Sequence, residues 1–211
     1  MSLLVKEMET LIKNKISQSA QRVFQYILDD LRERLPVHTT YHNLRHTLDV
    51  VECCNNYVEV YDLDEEDHEH LLIAAVAHDY GFVFSPDNHE ATSANMVAKI
   101  MLKHDYNLDS ISKVRGLIMA TKLPQSPKNF LEEIIADADL DYLGRSDYPE
   151  ISLTFYKELS HYGKLENQRQ WYDLQIGFLE NHTYFTAWAQ ENRQPGKFET
   201  LRSLKNQRAA L

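Results

Sequence analysis

The stretch that decides the fold runs from Leu71 to Gly81 and reads LLIAAVAHDYG. Its first seven residues are all apolar, so a helix formed from them has no polar side to turn toward solvent. Such a helix belongs at the centre of a helical domain, with other helices packed around it. Directly after the apolar segment come His78 and Asp79, at the end of a helix that should be buried.

The sequence on either side of this stretch predicts helices almost throughout. An acidic run at 62–67 marks the start of the central helix, because negative charge complements the helix dipole at an N-terminus. Apolar residues recur at helical spacing in the other segments, and the helices are expected at 3–12, 23–31, 43–61, 89–104, 109–121, 129–143 (capped by Gly144), 148–160, 165–190 (with a break near His182) and 197–208. No period-two strand pattern stands between them. The prediction is an all-α, single-domain helical bundle over residues 1–211.

Composition and charge exclude several classes of protein. The chain has 211 residues, 22 of them basic and 32 acidic, which gives a net charge of −10. It has no dense basic stripe to neutralise phosphates, so a nucleic-acid polymer is not an expected partner. No apolar stretch is long enough to cross a bilayer, and the N-terminus is charged too early for a secretory signal, so we expect no membrane association and a cytoplasmic location. The sequence does not indicate the oligomeric state.

Two histidines precede the central helix at a spacing of four. In YHNLRH, residues 41–46, His42 and His46 are expected on one face at the start of a helix. Such a pair can share a metal ion, or one histidine can bind the ion while the other faces a substrate. The same spacing is also found between unrelated surface or packing histidines. The pair alone leaves both interpretations open.

The acids that follow apolar residues raise a similar question. An uncompensated carboxylate is costly in a low-dielectric environment, so Asp79 needs a cation, hydrogen-bond donors or contact with water. In IIADADLDYL, residues 134–143, a solvent-facing position accounts for Asp141 and less readily for Asp137. Asp139 instead shares a helix face with apolar residues. Histidine nitrogen and aspartate oxygen together suit zinc, manganese, iron and other divalent ions.

Taken in chain order, His46, His78-Asp79 and Asp139 resemble the pattern of the HD-domain superfamily of metal-dependent phosphohydrolases. The segment YHNLRHTLDVV, residues 41–51, is similar to the corresponding segment of cyclic-nucleotide phosphodiesterases. Segments at 88–94, 118–122 and 137–144 are similar to bacterial predicted HD phosphohydrolases. The resemblance covers about residues 38–145, with the C-terminal helices over 146–211 packed on that core.

The resemblance implies a ligand set and a reaction. The ligands of one divalent ion would be His46, His78, Asp79 and Asp139, and the ion could be manganese, zinc, iron, nickel, cobalt or magnesium. As the aspartate ligand, Asp139 is preferred to Asp137 because it stands directly before the apolar continuation of the helix. Asp137 stays open as the alternative ligand. The implied reaction is the hydrolysis of a phosphomonoester or phosphodiester, such as a nucleotide-like small molecule, by metal-bound hydroxide.

The resemblance also implies roles beyond metal binding. His42 matches the phosphodiesterase histidine that protonates the departing oxygen, and Asp79 matches a catalytic position as well as a ligand. Relatives with two metal ions carry two further histidines. His89 matches the first of them, but the second falls near Lys122, where no histidine stands. A second ion is therefore not expected, and His89 and Lys122 are candidates for a second metal or a substrate phosphate.

Two other functions are compatible with the same pattern. One is a diiron oxygenase on the HD fold, against which the missing sixth ligand counts. The other is a non-catalytic domain that binds or senses a nucleotide, against which the intact set of ligand residues counts. An aromatic face in the C-terminal helices, residues 171–185, is better explained by core packing than by a platform for a nucleobase.

Overall fold

The computed structural model describes residues 16–211, so the helix predicted over 3–12 lies outside the described residues. Within 16–211 the chain forms α-helices and two short 3-10 helices and contains no strand, which confirms the all-α prediction. The α-helices are α1 (Gln18–Arg34), α2 (Leu44–Tyr61), α3 (Glu65–Ala77), α4 (His89–Lys103), α5 (Leu108–Ala120), α6 (Phe130–Asp139), α7 (Tyr148–His161), α8 (Gln168–Asn181), α9 (Ala187–Asn192) and α10 (Gln194–Ala209). The 3-10 helices are Tyr80–Val83 and Asp141–Gly144.

The chain divides into two compact units. Among residues 16–211, the first unit contains 16–36 together with His42–Asp139, and the second contains Val37–Tyr41 and Leu140–Leu211. The single domain expected over residues 1–211 stays a prediction. Among the helices of residues 16–211, none combines the length and the hydrophobicity needed to cross a membrane.

Helix α3 is the centre of the first unit, as the sequence predicts. Every residue from Leu71 to Ala77 is fully buried, and α1, α2, α4, α5 and α6 all contact this helix. Its N-terminus lies in the acidic run: the Asp64 side chain caps it by accepting a hydrogen bond from the Asp67 N–H at 2.8 Å. A helix with no polar face is stable here because its neighbours cover every side.

The predicted helix over 129–143 ends earlier than the sequence indicates. Helix α6 stops at Asp139, and a 3-10 helix follows it, so Gly144 does not cap α6. The hydroxyl of Tyr184 lies 3.1 Å from the carbonyl oxygen of Leu140 and 3.3 Å from that of Asp141. These carbonyls are thereby satisfied outside a regular helix.

The interpretation of Asp141 as a solvent-facing acid is wrong. Its side chain is buried and accepts a hydrogen bond from Arg193 Nε at 2.7 Å, with Arg145 Nη1 3.4 Å away. The guanidinium groups compensate the charge that burial would otherwise make costly. Asp137 is fully buried as well.

Two glycines allow the 3-10 helix and α10 of the second unit to touch through their backbones. A Cβ on Gly144 would lie 2.2 Å from the carbonyl oxygen of Arg193, and a Cβ on Gly196 would lie 2.1 Å from the carbonyl oxygen of Gly144. Both distances are far below van der Waals contact, and the obstructing atoms are backbone. Gly144 is therefore required for close packing rather than for ending a helix.

We predict that Gly196→Ala lowers the free energy of unfolding by about 1–3 kcal/mol because the added methyl group forces α10 away from the 3-10 helix. Helix propensity alone would favour alanine, so the control is Gly177→Ala in α8, where a Cβ meets nothing within 4 Å. Gly177→Ala should raise the free energy of unfolding by about 0.5–1 kcal/mol. Urea denaturation followed by circular dichroism measures both, and equal effects of the two substitutions would contradict the close packing.

Candidate metal centre

Three helix ends of the first unit meet at one cluster of side chains. His46 lies in the first turn of α2, His78 is the C-cap of α3 with Asp79 next to it, and Asp139 is the last residue of α6. Asn43 caps α2, and its side-chain oxygen accepts hydrogen bonds from the Arg45 and His46 N–H groups at 2.8 and 3.2 Å. The cap fixes the chain direction at His46, and the buried α3 fixes the position of His78.

The polar atoms of these four residues converge on one small volume. His46 Nε2 lies 3.1 Å from Asp139 Oδ1 and 3.3 Å from His78 Nε2. Asp79 Oδ2 lies 3.2 Å from His78 Nε2 and 3.6 Å from His46 Nε2. The side chains of His46, His78 and Asp79 are buried, and that of Asp139 is half-buried. The sequence separates these residues by up to 93 positions, and the fold brings them together.

A backbone carbonyl determines which nitrogen of His78 faces the cluster. His78 Nδ1 lies 2.8 Å from the carbonyl oxygen of Ala75, an acceptor, so Nδ1 carries a proton and donates it there. In a neutral imidazole this leaves the lone pair on Nε2, the atom that points at the two aspartates. A second hydrogen bond of this kind is the usual way in which proteins orient a metal-binding histidine.

The Asp79 carboxylate is incompletely satisfied by the protein. Its Oδ2 atom is buried and makes no hydrogen bond of acceptable geometry with any group of residues 16–211, although His78 Nε2 is only 3.2 Å away. A buried carboxylate oxygen without a donor is costly, and a cation between the carboxylates and the imidazoles would remove that cost.

The spacing of the cluster fits a single divalent ion. Two atoms that each lie about 2.1 Å from one ion are about 3.0–3.4 Å apart at octahedral or tetrahedral angles. The neighbouring ligand atoms here are 3.1–3.6 Å apart. Two imidazole nitrogens and two carboxylate oxygens are a donor set that zinc, manganese, iron and related ions accept. A group formed by His46, His78 and Asp139 could thus hold a metal ion.

The ionisation of the cluster follows from its mixed charges. Burial would raise the pKa of Asp79, but His78 and His42 outweigh it and hold the pKa of this carboxyl well below its usual range. Burial also opposes ionisation of Asp139, yet hydrogen bonds with His46 and His78 lower its pKa to about 2. In return, the charges of Asp79 and Asp139 overcome the effect of burial and raise the pKa of His78 well above its usual value.

His42 lies beside the cluster but not on the helix that carries His46. Helix α2 begins at Leu44 with Asn43 as its N-cap, so the expectation of two histidines on one helix face is wrong for His42. The two imidazole centroids are nevertheless only 6.4 Å apart. The His42 ring stacks on Phe82, with centroids 4.1 Å apart and planes at 18°.

His89 lies near Asp79 Oδ1, the carboxylate oxygen that does not face His46 and His78. His89 Nε2 lies 3.3 Å from Asp79 Oδ1 and 3.5 Å from Glu90 Oε1. Burial would lower the pKa of His89, but its contact with Asp79 raises it. Gly81 makes this approach possible, because a Cβ there would lie 2.1 Å from the carbonyl oxygen of His89.

The structure brings together most of the expected residues but not all. Lys122 is exposed just after α5, and within residues 16–211 no hydrogen bond or ion pair joins its side chain to the cluster. The sequence predicts no role for Phe82, whose ring contacts those of His42 and His89, or for Glu90. Nothing in the residue pattern marks Phe82, because its contacts come from a 3-10 helix that the pattern does not predict.

We predict that metal affinity falls as the pH is lowered. The pKa of His78 is raised in the metal-free protein, so below that pKa a divalent ion has to displace a proton, whereas above it the ion meets a neutral imidazole. The carboxylates, with lowered pKa values, stay ionised over this range. The dissociation constant for zinc or manganese, measured against a competing chelator, should rise about tenfold per pH unit for each displaced proton. A constant affinity between about pH 6 and pH 8 would contradict this prediction.

Comparison with known proteins gives one match. A family model described as HD domain matches residues 43–141, a segment that contains His46, His78, Asp79 and Asp139. Neither the curated proteins nor the solved structures give a match. The match agrees with the all-helical fold of the described residues. Residues 43–141 therefore match the HD domain, and this match supports membership of the HD-domain superfamily.

Proposed function

We propose that the protein is a metal-dependent phosphohydrolase that cleaves a phosphomonoester or phosphodiester of a nucleotide-like small molecule. The observation that carries this proposal is the convergence of His46, His78, Asp79 and Asp139 within an HD domain, where a buried carboxylate oxygen lacks a hydrogen bond. The chain has a net charge of −10, so its own charge does not attract a phosphate group. A bound divalent ion would supply the positive charge that a phosphate needs.

The four clustered residues are the proposed ligands of the ion. When bound, a divalent ion lowers the pKa of coordinated water and offsets the negative charge of a phosphoryl group. His78 is oriented for this role by the carbonyl of Ala75, and Asp79 presents Oδ2 to the imidazoles of His46 and His78. The other oxygen of Asp79 lies 3.3 Å from His89 Nε2, and the second role proposed for this carboxylate is to orient an incoming water molecule.

His42 is the proposed proton donor. His42 is not one of the four proposed ligands, but its ring centroid lies 6.4 Å from that of His46. A positive charge on His42 lowers the pKa of Asp79. An alkoxide leaving group needs a proton, and a histidine is a suitable donor near neutral pH. Phe82 fixes the plane of the imidazole by stacking on it, and its ring also contacts that of His89 at 4.3 Å.

His89 is the proposed contact for either a second ion or the substrate phosphate. His89 Nε2 lies 3.3 Å from Asp79 Oδ1 and 3.5 Å from Glu90 Oε1, so His89, Asp79 and Glu90 are the residues that would hold a second ion. The sequence supplies no histidine near Lys122 to complete the ligand set of two-metal relatives. Lys122 itself stays a prediction as a contact for phosphate.

We predict that Asp79→Ala removes turnover of para-nitrophenyl phosphate and bis(para-nitrophenyl) phosphate in the presence of manganese, zinc or iron(II). The reason is that the variant loses a proposed ligand and the carboxylate that orients water. His104→Ala, at the end of α4 and outside the cluster, is the control and should keep wild-type turnover. Persistent turnover in Asp79→Ala would contradict the proposed function. Oxygen consumption with iron(II), or nucleotide binding with no hydrolysis, would instead favour the oxygenase or the binding domain.

We predict that His42→Ala keeps the metal and slows hydrolysis in a way that depends on the leaving group. Loss of a general acid costs about 10²–10⁴ in rate when the leaving group is an alkoxide, as in a nucleoside monophosphate. A para-nitrophenolate needs no proton to depart, so its hydrolysis should change far less. The comparison of kcat for the two esters, with metal content measured in parallel, separates proton donation from metal binding.

Phe82→Leu provides the matched variant for the role of the stacked ring. Leucine keeps an apolar side chain but removes the aromatic face on which His42 lies. It should slow the alkyl ester and spare the aryl ester, and it should add little to His42→Ala because both act through the same imidazole. Equal loss on both esters would contradict a role through His42.

A further inference from the structure

The second unit contains a cavity of about 840 Å³ that shares no residue with the metal centre. It lies between α7, α8 and α10, and every residue that lines it falls between Gly144 and Gln207. Its volume is within the range of about 300–1,000 Å³ that is typical of small-molecule sites. The proposed hydrolase chemistry does not use this cavity.

Aromatic rings form much of the wall of this cavity. They belong to Tyr148, Tyr156, Trp171 and Tyr172. The rings of Tyr156 and Trp171 are tilted at 57° with centroids 5.6 Å apart. Core packing, which the sequence suggested for the aromatic face of residues 171–185, accounts for the buried Trp171, whereas Tyr156 and Tyr172 are only half-buried. The rings instead offer apolar faces to a flat ligand.

A buried amide supplies hydrogen bonding inside the cavity. Gln175 is 4% exposed, and its Oε1 atom accepts a hydrogen bond from the Tyr148 hydroxyl at 2.9 Å. Its Nε2 atom donates one long hydrogen bond, 3.4 Å, to the carbonyl oxygen of Trp171. A carboxamide has two N–H donors, so one N–H of Gln175 is available to an acceptor in a ligand. Buried amides of this kind orient ligands in otherwise apolar sites.

The charged side chains around the cavity are neutralised by neighbours. Arg145 forms an ion pair with Asp147 at 3.0 Å and lies 3.4 Å from Asp141. Glu199 forms an ion pair with Arg202. A charged ligand would therefore lose water without gaining an opposite charge, which disfavours its binding. An uncharged ligand pays no such penalty.

We propose that this cavity binds an uncharged, planar heteroaromatic molecule, with its ring against Tyr156, Trp171 and Tyr172 and a polar edge at Gln175. The proposal does not depend on the reaction at the metal centre. It assigns to the second unit a ligand site of its own.

Adenosine is the probe for this site, and Trp171 is the reporter. The chain has two tryptophans, so Trp188→Phe leaves Trp171 as the single indole. In that background, adenosine should change the Trp171 fluorescence in a saturable manner with a dissociation constant below about 5 mM. No saturable change up to that concentration would overturn the proposal.

Variants at the cavity wall locate the probe. Ser152→Phe and Ser203→Phe place a phenyl ring in the cavity and should weaken adenosine binding by at least about tenfold. Ser160→Phe is the control: it also lies in α7 but does not line the cavity, and it should bind as wild type. Ser152 is buried, so Ser152→Phe can fail to fold, whereas Ser203 is exposed and tolerates a larger side chain. If Ser152→Phe does not fold, the result with Ser203→Phe decides the location of the site. Unchanged binding in a folded Ser203→Phe would overturn the location.

A pair of matched probes tests the charge of the ligand. Nicotinamide and nicotinate share a ring and nearly a shape, but only nicotinate is an anion at neutral pH. Saturation-transfer NMR should show nicotinamide binding more tightly, with the difference lost in Ser203→Phe. Equal or tighter binding of nicotinate at Trp171 would overturn the assignment of an uncharged ligand.

Discussion

The ionised carboxylate at the end of an apolar helix is the constraint on which the rest of the structure depends. Leu71–Ala77 is buried on every side, and Asp79 follows it into the same interior with a pKa held well below its usual range. Burial of an uncompensated carboxylate would cost several kcal/mol, of the order of the whole stability of a small domain. The surrounding histidines make this placement tolerable, and the proposed ion would lower the cost further when bound.

That constraint explains why the clustered histidines and aspartates lie at helix ends. Asn43 caps α2 so that His46 points inward, α6 stops at Asp139, and Gly81 lets His89 come to the far side of Asp79. A helix end places a side chain at a defined position while leaving space around it, which a helix middle in a packed bundle does not. The aspartate is thereby in contact with imidazoles on both of its oxygens.

The fold could be predicted from the sequence more fully than the site. An all-apolar α3 and the periodic patterns beside it are local features, and the structure has them where the pattern indicates. The choice between Asp139 and Asp137 as a ligand is not local, because it depends on which carboxylate the fold places beside His46. The end of α6 is not local either, because the Tyr184 hydroxyl, more than 40 residues later, satisfies the carbonyls beyond that point. The stacking of His42 on Phe82 could not be predicted from the sequence either, because it joins two segments outside the α-helices.

The most direct test of the account is the metal content per chain, measured by elemental mass spectrometry on wild type and His78→Ala purified without chelators or a histidine tag. The account predicts one equivalent in wild type and none in the variant, because His78 Nε2 lies within 3.5 Å of an atom of each of the other three proposed ligands. Nearly two equivalents would add His89 and Glu90 to the ligand set. A wild-type protein that takes up no manganese, zinc or iron even when these are supplied would contradict the metal centre itself.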